Sequence, residues 1–218
     1  MVKTYDLMER HFGWQERPRP ATDRQVNDYL LDRALQAQGL VSLDSICHLE
    51  PSRKGEMRAV IEARMRRREL AAVAVEGAGK IEHWARPQTL AEGTTTEAGL
   101  VHILSPFDPL IIQRKRLEFF FGYEHRFEAY VPKEKRVFGY FALPVLVGED
   151  IVAAIDCKAD RTARRLLIQK WTWVGQGEES RHKAVIEEAL GRFERFQFDA
   201  GSGEGEEPLE AALQIAAK

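Results

Sequence analysis

The sequence predicts an α+β protein in which a winged helix-turn-helix domain is followed by an antiparallel β-meander domain with flanking helices. Three helix start signals follow one another between residues 22 and 68. Two short apolar runs, at residues 71–76 and 80–85, then surround a glycine turn at residues 77–79. Three helices followed by a hairpin is the order of a winged helix. Strand-like runs with turn-like separators between residues 126 and 173 predict the antiparallel sheet.

The first predicted helix has signals at both ends. Thr22 and Gln25 have the spacing of a capping box, in which the two residues satisfy each other's backbone N–H groups. Apolar residues follow at helical spacing, namely Val26, Tyr29, Leu30, Ala34 and Leu35. Gly39 supplies the stop, because glycine is common just after the last residue of a helix.

The second and third predicted helices follow at once. Ser42 starts a short helix that Pro51 ends, and Ser52 caps the third. The inward-facing residues of the third helix are Met57, Val60, Ile61 and Leu70. In a winged helix the third helix enters the major groove of DNA. The basic segment of residues 53–68 therefore falls in the recognition position.

Changes in composition divide the chain into five segments. Arg17-Pro-Arg-Pro20 forces an extended path before the first helix, and a Thr-rich stretch at residues 92–97 separates the two predicted domains. The segments are an amino-terminal arm (1–21), a winged-helix domain (22–86), a linker (87–99), an antiparallel β domain with flanking helices (100–197) and an acidic, largely disordered tail (198–218).

The predicted β domain begins and ends with a helix. The first covers about residues 110–120 and the second residues 178–196. Between them the predicted strands cover residues 126–131, 136–147, 151–156 and 165–173. Their separators are short and rich in turn-forming residues, so consecutive strands are expected to pair antiparallel.

The net charge of −2 conceals segments of opposite sign. Residues 53–68 hold seven basic side chains against two acids, whereas the last 22 residues hold five acids against one lysine. The rest of the chain is mildly basic once the tail is set apart. A near-neutral total therefore does not exclude binding to nucleic acid, which needs concentrated positive charge.

Length and cysteine content indicate a globular protein of a reducing compartment. A chain of 218 residues suffices for one large or two modest domains. Cys47 and Cys157 cannot form a multi-bridge disulfide framework. No stretch approaches the 18 or so apolar residues of a membrane helix. We expect a cytoplasmic protein that associates with the nucleoid when it binds DNA.

Basic side chains are the candidate DNA contacts, because Arg and Lys supply many of the bonds to phosphate oxygens. On the basic helix they are Arg53, Lys54, Arg58 and Arg64, with Arg66 and Arg67 further along. In the β domain they are Arg114, Lys115, Arg116, Lys133, Lys135, Arg136 and Arg161. The alternative is a solvated helix face and, for Lys133 and Lys135, a lysine-rich turn that keeps a sheet edge soluble.

The sequence contains no recognisable catalytic or metal-binding motif. Its six histidines lack metal-ligand spacing, and phosphate-loop, dinucleotide and nucleophile-elbow motifs are absent. We therefore expect no cofactor and no metal. Asp108, between Phe107 and Pro109, is a possible cleft residue or the N-cap of the helix that follows, and Asp before a helix favours the cap.

Five motifs in order resemble a known family. They are Leu104-Ser-Pro-Phe-Asp-Pro-Leu-Ile-Ile-Gln-Arg-Lys-Arg116, Phe121-Gly-Tyr, Tyr130-Val-Pro-Lys-Glu-Lys-Arg-Val-Phe-Gly-Tyr140, Leu143-Pro-Val-Leu and Asp156-Cys-Lys-Ala-Asp-Arg161. Together they resemble the carboxy-terminal half of the YcaQ-like winged-helix DNA glycosylases of interstrand-crosslink and alkylation repair. The resemblance runs from about Tyr5 to Trp173. It implies tandem winged helices and a β domain around a DNA-binding cleft, and hydrolysis of the N-glycosidic bond of damaged bases.

One departure from the family affects the expected activity. Family members are about twice as long, and their catalytic Gln-apolar-Gln or Gln-apolar-Asp motif belongs to the amino-terminal half. The triplets Gln36-Ala-Gln38 and Gln197-Phe-Asp199 have this bare form without the family's sequence context, so we interpret both as coincidental. We expect a monomer without catalytic residues, inactive without the amino-terminal half, that binds double-stranded DNA, including damaged or crosslinked DNA.

Two other functions fit the same pattern. A winged-helix transcription regulator would form a two-fold symmetric dimer and prefer a palindromic site. An interaction or scaffold protein would use the β domain to capture a protein partner, and its basic helix would be only a solvated surface.

Overall fold

The computed structural model describes residues 4–92 and 99–199. The chain divides into two compact units, Met1–Gly93 and Thr94–Lys218. Both contain helices and antiparallel sheet, which confirms the α+β class. Most of the predicted acidic tail and the Thr-rich part of the predicted linker lie outside the described residues.

The first unit combines helices with a small sheet. Its helices are α1 (Met8–His11), α2 (Asp23–Gln38), α3 (Leu43–Ile46), α4 (Lys54–Arg66) and α5 (Pro87–Ala91), with a 3-10 turn at Pro51–Arg53 before α4. Its strands are β1 (Leu40–Val41), β2 (Ala71–Val73) and β3 (His83–Ala85), in the order β1-β3-β2 with antiparallel pairing. Leu31, Met57, Ile61 and Trp84 are buried at its centre.

The predicted ends of α2 are confirmed. The backbone N–H of Thr22 donates to the Gln25 side chain at 2.9 Å, and the backbone N–H of Gln25 donates to the Thr22 hydroxyl at 3.4 Å. Gly39 follows the last turn with a φ of 67° and donates its N–H to the Leu35 carbonyl. This backbone conformation favours glycine, because a Cβ there is sterically costly.

Two details of the first unit differ from the prediction. The basic helix α4 begins at Lys54 rather than at Ser52, because residues 51–53 form the 3-10 turn. The hairpin strands are also shorter, since turn hydrogen bonds within residues 75–81 use backbone groups that a longer ladder would need. Strand β1, with only two residues, had no distinguishable sequence signal.

The second unit has a four-stranded antiparallel sheet. Its strands are β4 (Val101–Ile103), β5 (Ala142–Val147), β6 (Asp150–Asp160) and β7 (Arg165–Trp173), in the order β4-β5-β6-β7. Its helices are α6 (Pro109–Ile112), α7 (Arg114–Phe121) and α8 (Glu179–Asp199), with a 3-10 turn at Lys133–Lys135. Ile186 and Leu190 of α8 pack against Val145, Val152 and Ile155 of the sheet.

Residues 126–131 and 136–141 were predicted as strand, and this prediction is wrong. Neither segment has a strand partner among the described residues, and in the second one buried carboxylates bind the backbone N–H groups that a strand would use. Glu128 accepts from three consecutive residues, 137–139, and Asp156 accepts from Tyr140 and Phe141. The helix predicted over residues 110–120 is likewise divided into α6 and α7, with Gln113 between them outside helical geometry.

None of the helices within the described ranges is long and apolar enough to cross a membrane.

Candidate nucleic-acid interface

Most basic side chains of the segment 53–68 are paired with acids from elsewhere in the first unit. The pairs are Arg53–Glu50, Lys54–Asp44, Arg58–Glu82, Arg64 with Asp28 and Asp32, and Arg67–Glu69. Within the described part of the chain, Arg66 and Arg68 take part in none of the ion pairs. The local charge of the helix is therefore much lower than the sequence of the segment indicates.

Arg64 differs from its neighbours because its side chain is only 13% exposed. Its guanidinium donates to Asp32 at 2.7 and 2.8 Å and to Asp28 at 2.9 Å. The hydrogen bond to Asp32 is the main cause that raises the pKa of Arg64, and burial opposes it. The same bond holds the pKa of Asp32 below its usual value. Arg64 therefore joins α4 to α2, and we leave it out of the proposed DNA contacts.

Arg53, Lys54 and Arg58 lie at and near the amino end of α4. The side chains of Lys54 and Arg58 are 42% and 44% exposed. Exposed ion pairs contribute only about 0–1 kcal/mol, so a phosphate can replace the carboxylate at small cost. These three residues remain candidate contacts, although each must first lose its acidic partner.

Helix α7 supplies a second group of basic side chains. Arg114 and Lys115 are exposed. Arg116 is half-buried, and its guanidinium lies 4.6 Å from the centre of the Phe120 ring. Burial lowers the pKa of Arg116. Arg114 and Lys115 are therefore available to an approaching anion, whereas Arg116 covers an aromatic ring.

Residues 127–141 form a loop that we call the aromatic-basic loop. Tyr130 is 92% exposed, and Lys133 and Lys135 are exposed in the 3-10 turn that follows it. The Arg136 guanidinium lies 5.0 Å from the centre of the Tyr140 ring and donates through Nε to the Val131 carbonyl at 2.8 Å. The loop thus presents aromatic and cationic groups side by side, which is typical of nucleic-acid-binding surfaces.

Two buried carboxylates hold this loop in place. Glu128 accepts the backbone N–H groups of Val137, Phe138 and Gly139 at 2.9, 2.7 and 3.2 Å. Burial alone would raise the pKa of Glu128, but these three bonds outweigh it and the pKa is lowered. Asp156 on β6 accepts the N–H of Tyr140 at 2.6 Å and so connects the loop to the sheet.

The aromatic side chains of the loop pack against each other and against Phe107. The Phe127 ring centre lies 5.4 Å from that of Phe107, 5.6 Å from that of Phe141 and 6.0 Å from that of Tyr130. Such pairs are geometrically favourable and add stability beyond the area they bury. Tyr130 therefore contacts Phe127 at a ring edge, while most of its side chain is exposed to solvent.

A concavity of about 340 Å³ lies between α7 and the aromatic-basic loop. Its lining residues are Arg114, Glu118, Glu124, His125, Arg126, Phe127, Glu128, Val131 and Lys135. His125 is 4% exposed. Burial, followed by the charge of Arg114, lowers the pKa of His125, so the imidazole is neutral at pH 7.

Two further candidates occupy ordinary positions. Asp108 accepts the Leu110 N–H through Oδ1 at 2.8 Å, so it is the N-cap of α6. Arg161 is exposed in the turn after β6, where the neighbouring Asp160 accepts the N–H groups of Thr162 and Ala163.

The two Gln triplets stand at helix ends. Gln36 is exposed and Gln38 half-buried in the last turn of α2, and Gln197 and Asp199 lie at the end of α8. No group of three or more His, Cys, Asp or Glu side chains within the described residues could hold a metal ion.

Sequence reasoning missed several residues of this surface. His125, Glu128 and Tyr130 were not singled out as site residues, because the alternation of residues 126–131 resembles an ordinary strand. The sequence signal that could have indicated them is the close succession of aromatic and basic residues between positions 127 and 140, which is unusual for a solvent-facing strand.

No solved structure matches the chain. A family model described as DNA glycosylase AlkZ-like matches residues 1–196. This match confirms the resemblance indicated by the motifs between residues 104 and 161. The chain therefore belongs to the AlkZ-like family of DNA glycosylases, and its role lies in DNA repair.

Proposed function

We propose that this chain is the DNA-binding portion of a repair glycosylase and that it binds double-stranded DNA mainly through the second unit. The observation that supports this most strongly is the aromatic-basic loop. There Tyr130 is almost fully exposed beside Lys133 and Lys135. An exposed aromatic ring among cations is poorly explained by folding, but it suits stacking on an unpaired or extruded base of a duplex while the cations bind phosphates.

The charge around the loop supports the same assignment. Its buried acid, Glu128, is already bonded to three backbone N–H groups, so it does not compete for the lysines. Arg114 and Lys115 on α7 add two exposed cations to the same unit. Electrostatic contact with the phosphate backbone supplies most of the non-specific affinity for DNA.

We propose a smaller contribution from the first unit. We interpret residues 22–86 as a winged-helix domain with α4 as its recognition helix, and residues 100–197 as the β domain. In this arrangement Arg53, Lys54 and Arg58 meet the backbone of DNA near the amino end of α4. Their acidic partners must separate first, so this contact is weaker than the number of basic residues suggests.

We propose no hydrolytic role for the residues described. A glycosylase extrudes its target base into a pocket that positions a water molecule. Gln36 and Gln38 stand instead at the end of a surface helix, and neither lines the concavity of the second unit. We therefore expect the chain alone to bind DNA as a monomer and to release no base.

The test is a salt series of duplex-DNA binding, measured by fluorescence anisotropy. In wild type the logarithm of the association constant should fall linearly with the logarithm of salt concentration. The double substitution K133Q/K135Q should weaken binding and reduce the slope by about 1–2. Lys183→Gln, on α8 and paired with Glu179, removes the same kind of charge elsewhere in the second unit and is the matched control.

Each outcome separates the alternatives. A wild-type protein that does not bind duplex DNA at low salt would refute the proposal and favour the scaffold function. A dimeric mass in solution, with preference for a palindromic duplex, would favour a transcription regulator. An equal effect per removed charge in K183Q and K133Q/K135Q would show that only total charge matters and that the loop is not the contact.

A further inference from the structure

The concavity beside the aromatic-basic loop contains a buried polar side chain without a partner. Neither ring nitrogen of His125 has a hydrogen-bond partner within the described residues, although the side chain is 96% buried by area. Buried polar groups are nearly always hydrogen-bonded, and leaving one unsatisfied costs about 1–3 kcal/mol. His125 is one of the residues that line the open concavity, so a partner there can reach its fully buried ring nitrogens once the imidazole turns outward.

The surroundings of His125 are fixed before any ligand arrives. The ring centre lies 6.1 Å from that of Tyr123, which packs in a core cluster with Ile111 and Leu117. The other side of the concavity is held by the bonds of Glu128 to residues 137–139. A pre-organised site of this kind loses little conformational entropy on binding.

The acids of the concavity are largely engaged, whereas its cations are accessible. Glu128 binds backbone N–H groups, and Glu124 lies 3.3 Å from the Nε of Arg126. Arg114 and Lys135 are exposed and approach from two different elements, α7 and the loop. The lining as a whole has three acids and three bases, so a preference for an anion depends on the groups left accessible at the mouth, where Arg114 and Lys135 face the single acid Glu118.

The aromatic part of the lining does not favour a flat ring. Phe127 already packs against Phe107, Phe141 and Tyr130. These contacts leave the Phe127 ring half-buried, so a nucleobase in the concavity would find only part of an aromatic face on which to stack. A compact tetrahedral anion needs only donors, and the site offers them.

We propose that this concavity binds one phosphate group of the DNA backbone, with Arg114 and Lys135 supplying charge and His125 donating a hydrogen bond from the floor. The inference rests on the proposed DNA-binding function and identifies one of its contacts. Arg114 and Lys135 supply the charge and His125 the hydrogen bond, so we expect the loss of His125 to lower affinity with little change in the number of ions released.

The experiment compares His125→Phe with Arg114→Gln in the duplex-binding salt series. We expect H125F to weaken binding about tenfold with an unchanged salt slope, because a hydrogen bond to a charged group is lost. R114Q should reduce the slope by about 1. His125→Gln, which keeps an N–H donor, should recover part of the affinity. Equal binding by wild type and H125F would overturn the proposal.

Stability gives a second, independent readout. If the imidazole serves to bind a ligand, H125F removes a polar group that is unsatisfied in the free protein. The urea midpoint of unfolding of H125F should then be no lower than that of wild type. A histidine that only supports the fold would lower that concentration when replaced. Loss of both stability and DNA affinity in H125F would therefore contradict a ligand role.

Inorganic phosphate provides a test without DNA. In the full chain, the His125 imidazole resonances should shift during a phosphate titration, and R114Q/K135Q should abolish the shift. If wild type fails to bind DNA but the His125 resonances still shift with phosphate, the proposed DNA-binding function is wrong and the concavity is still an anion site. If wild type binds DNA and His125 does not respond, the concavity is not the phosphate site.

Discussion

Gly139 and Asp156 approach each other so closely that a Cβ on residue 139 would overlap the Asp156 carboxylate. Gly139 also has a φ of 134°, which favours glycine. This approach lets the Asp156 carboxylate reach the Tyr140 N–H and connect the aromatic-basic loop to β6. The glycine is therefore required for both the shape of the loop and its attachment.

Gly139→Ala should destabilise the second unit by about 3 kcal/mol or more, because the substitution combines backbone strain with a clash against Asp156. Urea unfolding followed by tryptophan fluorescence measures the change. Gly55→Ala in α4 is the matched control, since a Cβ there meets no atom within 4 Å. It should stabilise by about 0.5–1 kcal/mol. A small effect of G139A would show that the close approach relaxes at little cost.

Glu128 should make the stability of the second unit sensitive to acid. Its folded-state pKa is lowered from the usual 4.5, so the carboxylate stabilises the fold at pH values above 4.5. That contribution is lost as the pH falls below 4.5 toward the folded-state pKa. Glu128→Gln should unfold more easily at neutral pH and lose part of the acid dependence, as measured by urea unfolding across the pH range. An unchanged acid dependence in E128Q would contradict this role.

Arg64→Ala should destabilise the first unit by about 1–3 kcal/mol, because Asp28 loses the Arg64 guanidinium while Asp32 keeps Arg86. The salt slope of DNA binding should stay unchanged. Arg66→Ala is the control on the same helix, and since Arg66 is exposed its stability effect should be within about 0.5 kcal/mol. A change in the salt slope of DNA binding in R64A would show that Arg64 contacts DNA.

Tyr130→Ala should change stability by no more than about 0.5 kcal/mol, because the side chain is 92% exposed and touches Phe127 only at a ring edge. Binding to a duplex with an unpaired base should weaken by about 1–3 kcal/mol if the ring stacks on it, without a change in salt slope. Tyr5→Ala, at 83% exposure in the first unit, is the control. Equal effects of the two variants in an anisotropy titration would exclude specific stacking by Tyr130.

Local signals were sufficient to predict some elements. The capping box of Thr22 and Gln25 and the cap at Asp108 depend on residues two or three positions apart, so the sequence displays them directly. The family motifs could be recognised for the same reason, because each is a short contiguous run.

Features that depend on distant residues could not be predicted. Glu128 binds Phe138 ten positions later and Asp156 binds Tyr140 from 16 positions away, so residues 136–141 have the alternation of a strand without forming one. Arg64 meets Asp28 across 36 positions. The positive charge of α4, which is high when it is counted along the sequence, is thus largely neutralised by acids that lie close to the helix only in the folded protein.

The paired cations of α4 have a consequence for how binding responds to ionic conditions. A lysine that is free in solution displaces a condensed counterion when it meets DNA, and this release drives association. A lysine or arginine that is paired with a carboxylate must first separate from it, and the freed carboxylate then attracts a cation from solution. This uptake offsets the counterion released from the DNA. Helix α4 can therefore touch several phosphates and yet add little to the salt sensitivity of the complex. We therefore expect the DNA contacts proposed for the first unit to persist at ionic strengths that weaken those proposed for the second.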